Sequence, residues 1–275
     1  MLADVIELLI CPVCGSDLDF AEEKSLLCDR GHTFDIARQG YVGLQSGGAG
    51  KITGDSAEMI SARAEFLDAG HFQPISAAVC DAVGAVATVV EVGAGTGHYL
   101  AAVLDGAEGS RGIGIDVSKA AARRVARAHP RLGSVVADVW QGLPIRASAV
   151  DAVTCVFSPR NAGELRRVLS PEGVLVVVTP TARHQQELVP ALGLIGVDEN
   201  KARRLGDSLA GRFEQADRRV VEFVMSLDHA SVEALVAMGP SARHTTDAPR
   251  RTAVAQLPDT VEVTASVTVG TYRAL

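Results

Sequence analysis

Five short β-branched runs, at 88–92, 112–115, 134–136, 152–157 and 174–179, alternate with helical stretches through the middle of the chain. Strands that read as continuous apolar runs separated by helices belong to a parallel sheet covered on both faces. Residues 55–69 and 72–86 read as helices ahead of it, the second with Ile75, Val79 and Val83 in steps of four. The last third changes rhythm: an apolar run at 220–227, a helix at about 230–238 and a β-rich stretch at 261–275. That pattern closes the sheet with an antiparallel edge hairpin, making the fold α/β.

The first of these strands runs directly into Glu91-Val92-Gly93-Ala94-Gly95-Thr96-Gly97, and a helix begins near His98. Glycines so placed let the backbone turn sharply and a ligand approach the main chain. A dinucleotide fingerprint needs a third glycine where His98 stands, so an NAD oxidoreductase is disfavoured. The G-x-G-x-G spacing behind an acid resembles motif I of class I, Rossmann-like methyltransferases that use S-adenosylmethionine. Two further acids end the next strands. Asp116 is placed to accept hydrogen bonds from ribose hydroxyls, and Asp138 to meet the adenine amino group, with Val139 and Trp140 beside the ring.

Three of the five cysteines fall early, in Cys11-x2-Cys14-Gly15 and Cys28-x3-His32. Three thiolates and an imidazole make a closed tetrahedral set with no open position, which predicts a structural Zn²⁺. Cys80 and Cys155 stand alone in apolar stretches and read as core thiols. A Gly- and Ser-rich stretch follows, so the chain divides into a zinc-binding module at 1–45, a linker at 46–54 and a methyltransferase domain at 55–275. The small module has too little core to fold without its metal.

With 47% apolar and 21% charged residues the chain forms a core, and no run of 18 apolar residues crosses a membrane. The acidic N-terminal stretch lacks the basic region of a signal peptide, and with the thiols this implies a reducing cytoplasm. A net charge of −7 argues against nucleic acid only until its distribution is read. Residues 117–137 contain no acid, while Lys119, Arg123, Arg124, Arg127 and Arg131 share one helical face at about 100° per residue. Such a stripe suits phosphates, although a solvated helix face is the alternative.

Three stretches carry a full-length resemblance. The zinc pattern runs on into His32-Thr-Phe-Asp-x-Ala-Arg-x-Gly40-Tyr-Val; Gly54-Asp55-Ser56-x-Glu58-Met59 and Ala62-Arg63-x-x-Phe66-Leu-Asp-Ala-Gly70-His71 follow. With the segment at 158–180 and Arg183-His184, these resemble the RlmA family, nearest to its arginine-rich subgroup that contains the tylosin-resistance methyltransferase. The resemblance implies methylation of N1 of a guanine in the helix 35 hairpin of 23S ribosomal RNA, macrolide resistance as a consequence, and a homodimer. It implies cofactor contacts from Phe72, where the family's usual residue is Tyr, from Gly95 and Thr96, and from His184. Gly43 replaces the family's usual Asn.

Guanine N1 is a base-pairing position, so the base must be unpaired or flipped before transfer. The turn Ser158-Pro159-Arg160-Asn161 follows the fourth strand, and Ser158, Arg160 and Asn161 are the candidates for holding the guanine edge. Asn161 also reads as a helix N-cap. Two other functions fit the same residues: methylation of a small molecule with the zinc module as a lid, and an inactive protein that binds the cofactor or the ribosome.

Overall fold

A computed structural model describes residues 1–22, 24–45, 54–194, 196–198, 200–239 and 247–275. The linker expected at 46–54 therefore lies outside the described residues except for Gly54. In chain order the elements are β1 (Leu18–Ala21), β2 (Ser25–Cys28), β3 (Thr33–Asp35), β4 (Tyr41–Gly43), α1 (Ala57–Asp68), α2 (Gln73–Val83), β5 (Thr88–Val92), α3 (His98–Gly106), β6 (Arg111–Asp116), α4 (Lys119–Ala128) and β7 (Leu132–Val136). Then come β8 (Val150–Val156), α5 (Ala162–Val168), β9 (Leu169–Pro180), α6 (Leu188–Leu192), α7 (Lys201–Leu209), β10 (Phe213–Asp228), α8 (His229–Ala237), α9 (Asp247–Val254) and β11 (Thr260–Ala274).

Among the described residues the main sheet has the order β10-β11-β9-β8-β5-β6-β7-β4. From β4 to β9 every neighbouring pair is parallel, and β11 is antiparallel to both β9 and β10. All five middle strands and the antiparallel closure agree with the sequence pattern. The order reverses at β5, whose neighbours are β6 and β8, so the crevice where open α/β sheets bind ligands lies at its carboxyl end.

Why these residues form these elements is legible locally. Every residue of β5 and β7 is buried, as continuous apolar strands require. α1 starts at Ser56, whose hydroxyl accepts from the Met59 amide at 3.3 Å. α4 starts likewise at Ser118, which accepts from the Ala121 amide. α2 stops at Gly84, at φ +69°, three residues short of the expected 86.

The two faces of the sheet carry separate cores. One holds Phe66, Ile75, Val79, Leu100, Leu104 and Val176 under α2, α3 and α8. On the other, Leu2, Val5, Leu8, Leu9 and Leu26 from the N-terminal segment pack with Val90, Ile113, Val135 and Val153 of the sheet. Burying a side chain such as Leu9 or Leu26 completely is worth roughly 1.5–3 kcal/mol. The zinc-binding segment thus covers the sheet where a helix layer would otherwise lie.

The segment expected to form a separate module at 1–45 nonetheless shares the main sheet. β4, assigned to the zinc module, is the edge strand of the main sheet, pairing Tyr41 with Ser134 and Val42 with Val135. The segment is also sewn to residues 144–146. The Ile10 amide donates to the Pro144 carbonyl at 3.1 Å, the Arg146 amide to the Leu8 carbonyl at 2.9 Å, and Arg146 pairs with Asp17 at 2.5 Å. A small segment with little core of its own gains burial by borrowing the sheet's face.

Candidate functional site

The four expected metal ligands converge. Cys14 Sγ lies 3.7 Å from Cys28 Sγ, and His32 Nδ1 lies 3.3 Å from Cys28 Sγ and 3.6 Å from Cys11 Sγ. All four ligand atoms fall within 4.8 Å of one another. Zn–S bonds of about 2.3 Å imply a tetrahedral edge of about 3.8 Å, so the set fits Zn²⁺. Two tight turns produce it: Gly15, at φ +73°, donates to the Cys11 carbonyl, and Gly31, at φ +81°, donates to the Cys28 carbonyl. The His32 amide points at Cys28 Sγ from 3.4 Å. The Ser16 hydroxyl and amide hold the Cys14 thiol down to about 6, which keeps it a thiolate at neutral pH.

A second set gathers around the glycine loop at the carboxyl end of β5. Gly93, Gly95 and Gly97 have φ of +70°, +56° and +78°, a conformation L side chains rarely adopt. A Cβ on Gly93 would lie 2.5 Å from Ser158 Cβ, so the loop and the β8 turn pack backbone to side chain. The Gly93 and Ala94 amides both donate to the Ile115 carbonyl, and the Gly95 amide donates to Asp116 Oδ2 at 2.9 Å. Asp116 Oδ1 accepts from the Ser118 amide, so this carboxylate faces the cradle and is oriented by it.

Glu91 sits behind the loop, 1% exposed, accepting from the Leu100 amide of α3 at 3.2 Å. Burial pushes its carboxyl up to about 8. It braces the strand-to-helix turn from inside the sheet.

Asp138 is buried and caps a short helical turn, Oδ1 accepting from the Trp140 amide and Oδ2 from Gln141 Nε2. Of the two residues expected beside an adenine ring, Trp140 is exposed, whereas Val139 packs into the core below the sheet. A cleft of about 170 Å³ opens beside this turn, lined by Asp138, Gln141 and Leu143 on one side and by Ile10, Cys11 and Val13 of the zinc segment on the other.

Three rings form the remaining wall. Phe72 is buried, His184 is half-buried and Phe157 is 41% exposed. Ring centroids are 6.0 Å apart for Phe72 and His184, 6.3 Å for Phe72 and Phe157, and 5.7 Å for the stacked pair Phe157 and His184. His184 Nδ1 accepts from the Ser266 amide of β11.

The turn after β8 is tightly engaged. Ser158 is buried, and its Oγ is one of two buried side-chain polar atoms without a hydrogen-bond partner among the described residues. Arg160 donates to the Ser158 carbonyl at 2.9 Å. Asn161 Oδ1 accepts from the Glu164 amide as the N-cap of α5, and Nδ2 donates to the Val139 carbonyl at 3.1 Å. Both ends of the Asn161 amide are thus committed to the scaffold, which favours the capping alternative for that residue.

Sequence reading passed over Asp55 and Arg63. Arg63 pairs with Asp55 at 2.7 Å, donates to the Met238 carbonyl, and lies where a Cβ on Gly95 would meet it at 3.1 Å. Ser118 Oγ donates to the Asp55 carbonyl. The signal was the Gly54-Asp55-Ser56 motif itself, whose position over the loop no spacing rule reveals.

The basic stripe needs one correction. Lys119, Arg123, Arg124 and Arg127 are exposed along α4, and the three arginines line a groove of about 260 Å³ against Ala57, Ile60 and Ser61 of α1. No carboxylate among the described residues pairs with these four. Arg131, expected on the same face, lies beyond the end of α4. Its guanidinium donates to the Leu104, Ala107 and Ser110 carbonyls, capping the C-terminus of α3.

Comparison with known proteins matches two regions of the chain and its whole length. Residues 9–45 match the family model described as RlmA, N-terminal, a zinc ribbon, and residues 89–173 match a methyltransferase domain model. A methyltransferase of Haloferax volcanii, solved in complex with the Trm112 activator, shares the fold at a TM-score of 0.51 and 20% identity, covering 80% of this chain and 98% of that one. A protein of Micromonospora griseorubida assigned as a 23S rRNA (guanine-N1)-methyltransferase is 47% identical over the whole of both chains. The 23S rRNA (guanine(748)-N1)-methyltransferase of Streptomyces fradiae is 43% identical, again over the full length of both. Identity at that level, running through zinc ribbon and glycine cradle alike, shows that the chain belongs to the family of 23S rRNA (guanine-N1)-methyltransferases, class I enzymes of the S-adenosylmethionine-dependent fold with an N-terminal zinc ribbon.

Proposed function

We propose that this protein methylates N1 of a guanine in the helix 35 hairpin of 23S ribosomal RNA, in the cytoplasm, and that the modification confers macrolide resistance. The observation that supports this reading is the full-length identity to relatives named for guanine-N1 methylation of 23S rRNA, spanning the ribbon as well as the catalytic domain.

Bound S-adenosylmethionine supplies an electrophilic methyl group on a sulfonium. What the chain contributes is alignment and exclusion of water. Gly93, Gly95, Thr96 and Gly97 let the main chain approach the cofactor, and Glu91 braces that loop from below. Asp116 would accept from the ribose hydroxyls and Asp138 from the adenine amino group. Phe72 and His184, whose ring centroids are 6.0 Å apart, would contact the cofactor. Ser158 and Arg160 hold the guanine edge, and Asn161 positions the turn through α5 and Val139. Transfer would form the N1–carbon bond as the carbon–sulfur bond breaks, S-adenosylhomocysteine would leave, and the N1 proton would pass to water.

Arg123, Arg124 and Arg127, with Lys119, carry the RNA backbone along the groove between α1 and α4. The turn before β4 borders the same helix, where Ala37 and Tyr41 pack on Ala122 and Ala126.

Primer extension on unmodified 23S RNA, after incubation with protein and S-adenosylmethionine, tests the proposal. An N1 methyl group stops reverse transcriptase, so a new cofactor-dependent stop is expected. Methyl incorporation into small metabolites with none into RNA would overturn it.

A further inference from the structure

Resting on the RNA reading above, we infer that Phe157 and His184 form the stacking platform for the acceptor base, with Phe157 the outer face against which a planar purine lies. The argument starts from burial along the three-ring wall. Phe72 is 2% exposed and Phe157 is 41% exposed, with His184 between them. The wall therefore runs from a buried ring out to solvent, and its outer ring, Phe157, directly precedes Ser158, which packs on Gly93 of the glycine loop. A methyl acceptor has to reach the glycine loop and still enter from solvent, and the Phe157 end of this wall is both next to that loop and open.

The backbone gives a second, independent reason. Phe157 has φ +52°, one of four non-glycine residues with positive φ among the described residues. A bulky residue held there is strained, and such strain persists where surrounding structure imposes it. Here the neighbours impose it from both sides. The Phe157 amide donates to the Val178 carbonyl at 3.2 Å, and Ser158 is pressed against Gly93. At the strained turn the Phe157 ring stays out of the core and stacks on His184, tilted by 27°.

His184 is held by the Ser266 amide, so the platform has a fixed inner plate and an exposed outer one. Stacking on such rings suits any base, so it supplies affinity while the neighbouring 158–161 turn supplies edge recognition. The site thus takes a planar heteroaromatic ring extruded from its helix.

The test compares Phe157→Ala and Phe157→Trp with the parent protein. The measurements are S-adenosylmethionine binding by calorimetry, thermal unfolding, and methyl transfer to an unmodified transcript of the 23S RNA hairpin. In Phe157→Ala, kcat/KM for the RNA should fall roughly 10- to 100-fold, with cofactor Kd and unfolding temperature unchanged. Phe157→Trp should restore most of the rate. In a Trp140→Phe background, which removes the chain's single tryptophan, the emission of Phe157→Trp should be quenched as the hairpin is added with S-adenosylhomocysteine present. A merely structural role would not produce that quenching. Undiminished RNA methylation by Phe157→Ala overturns the inference, as does a tenfold loss of cofactor affinity, which would make Phe157 part of the cofactor wall. Parent protein that methylates no RNA at all overturns the RNA reading, and this platform with it.

Discussion

The zinc site and the cofactor cradle are built in opposite ways. At the zinc site, four ligands arise from two turns within 22 residues, Cys11 to His32, and each turn closes on its own glycine. At the cradle, the glycine loop follows β5, Asp116 ends β6, Asp138 follows β7, Ser158 follows β8 and His184 follows β9. These parts come from five different strand ends. The first site needs a metal to hold it and the second needs the whole sheet. Their meeting point is the cleft beside Asp138, lined from both sides.

Removing the metal is the strongest way to break this comparison. Structural Zn²⁺ contributes on the order of 10–16 kcal/mol in zinc-finger peptides. Chelation, or Cys28→Ser, should unfold the ribbon and expose one face of the sheet, lowering the unfolding temperature by many degrees in calorimetry. Because residues 144–146 are pinned by Leu8 and Ile10, chelation should also weaken cofactor binding. An unchanged cofactor Kd after chelation would mean that the two sites are independent.

Gly93→Ala attacks the cradle alone. The new Cβ meets Ser158 at 2.5 Å at a φ of +70°, so a stability loss of about 1–3 kcal/mol and loss of measurable cofactor binding are expected. Zinc content, read by atomic absorption, should stay at the parent level.

A subtler effect comes from Glu91. Its folded-state carboxyl, pushed by burial up to about 8, lies above the usual unfolded value near 4.3. The stability linked to it is complete below that lower value and is lost as pH rises toward 8. Glu91→Gln should flatten the decline of denaturant-unfolding stability between about pH 5 and 8. A parent slope retained in the variant would remove Glu91 as its source.

The smallest expected effect belongs to α4. Replacing Arg123, Arg124 and Arg127 with Gln should reduce the salt dependence of RNA binding by about two in log–log slope, taking about 0.7 per phosphate contact. Cofactor affinity should not move. A slope equal to that of the parent would leave the stripe a solvated helix face.

Much of this was legible in the residues themselves. The zinc ligands, the five middle strands, the glycine loop and the acids after it follow from spacing and apolar pattern. The stripe on α4 was only partly so, because helical periodicity was carried past Ala128, where the helix ends and Arg131 turns to cap α3. β4 escaped notice because three residues on a sheet edge leave no periodic signal, and its pairing with β7 spans about 90 residues of sequence.

What the sequence determined by itself was whatever covalent connection keeps close: two cysteine turns, a strand entering a glycine loop, a serine starting a helix. The tertiary structure alone decided that the ribbon shares the sheet's core, that Arg63 and Asp55 lie over the loop, and that Phe157 is turned outward beside His184. The physical reason is chain distance. Local contacts depend on spacing, whereas residues brought together from separate strand ends depend on strand order and packing, which no short stretch of sequence encodes.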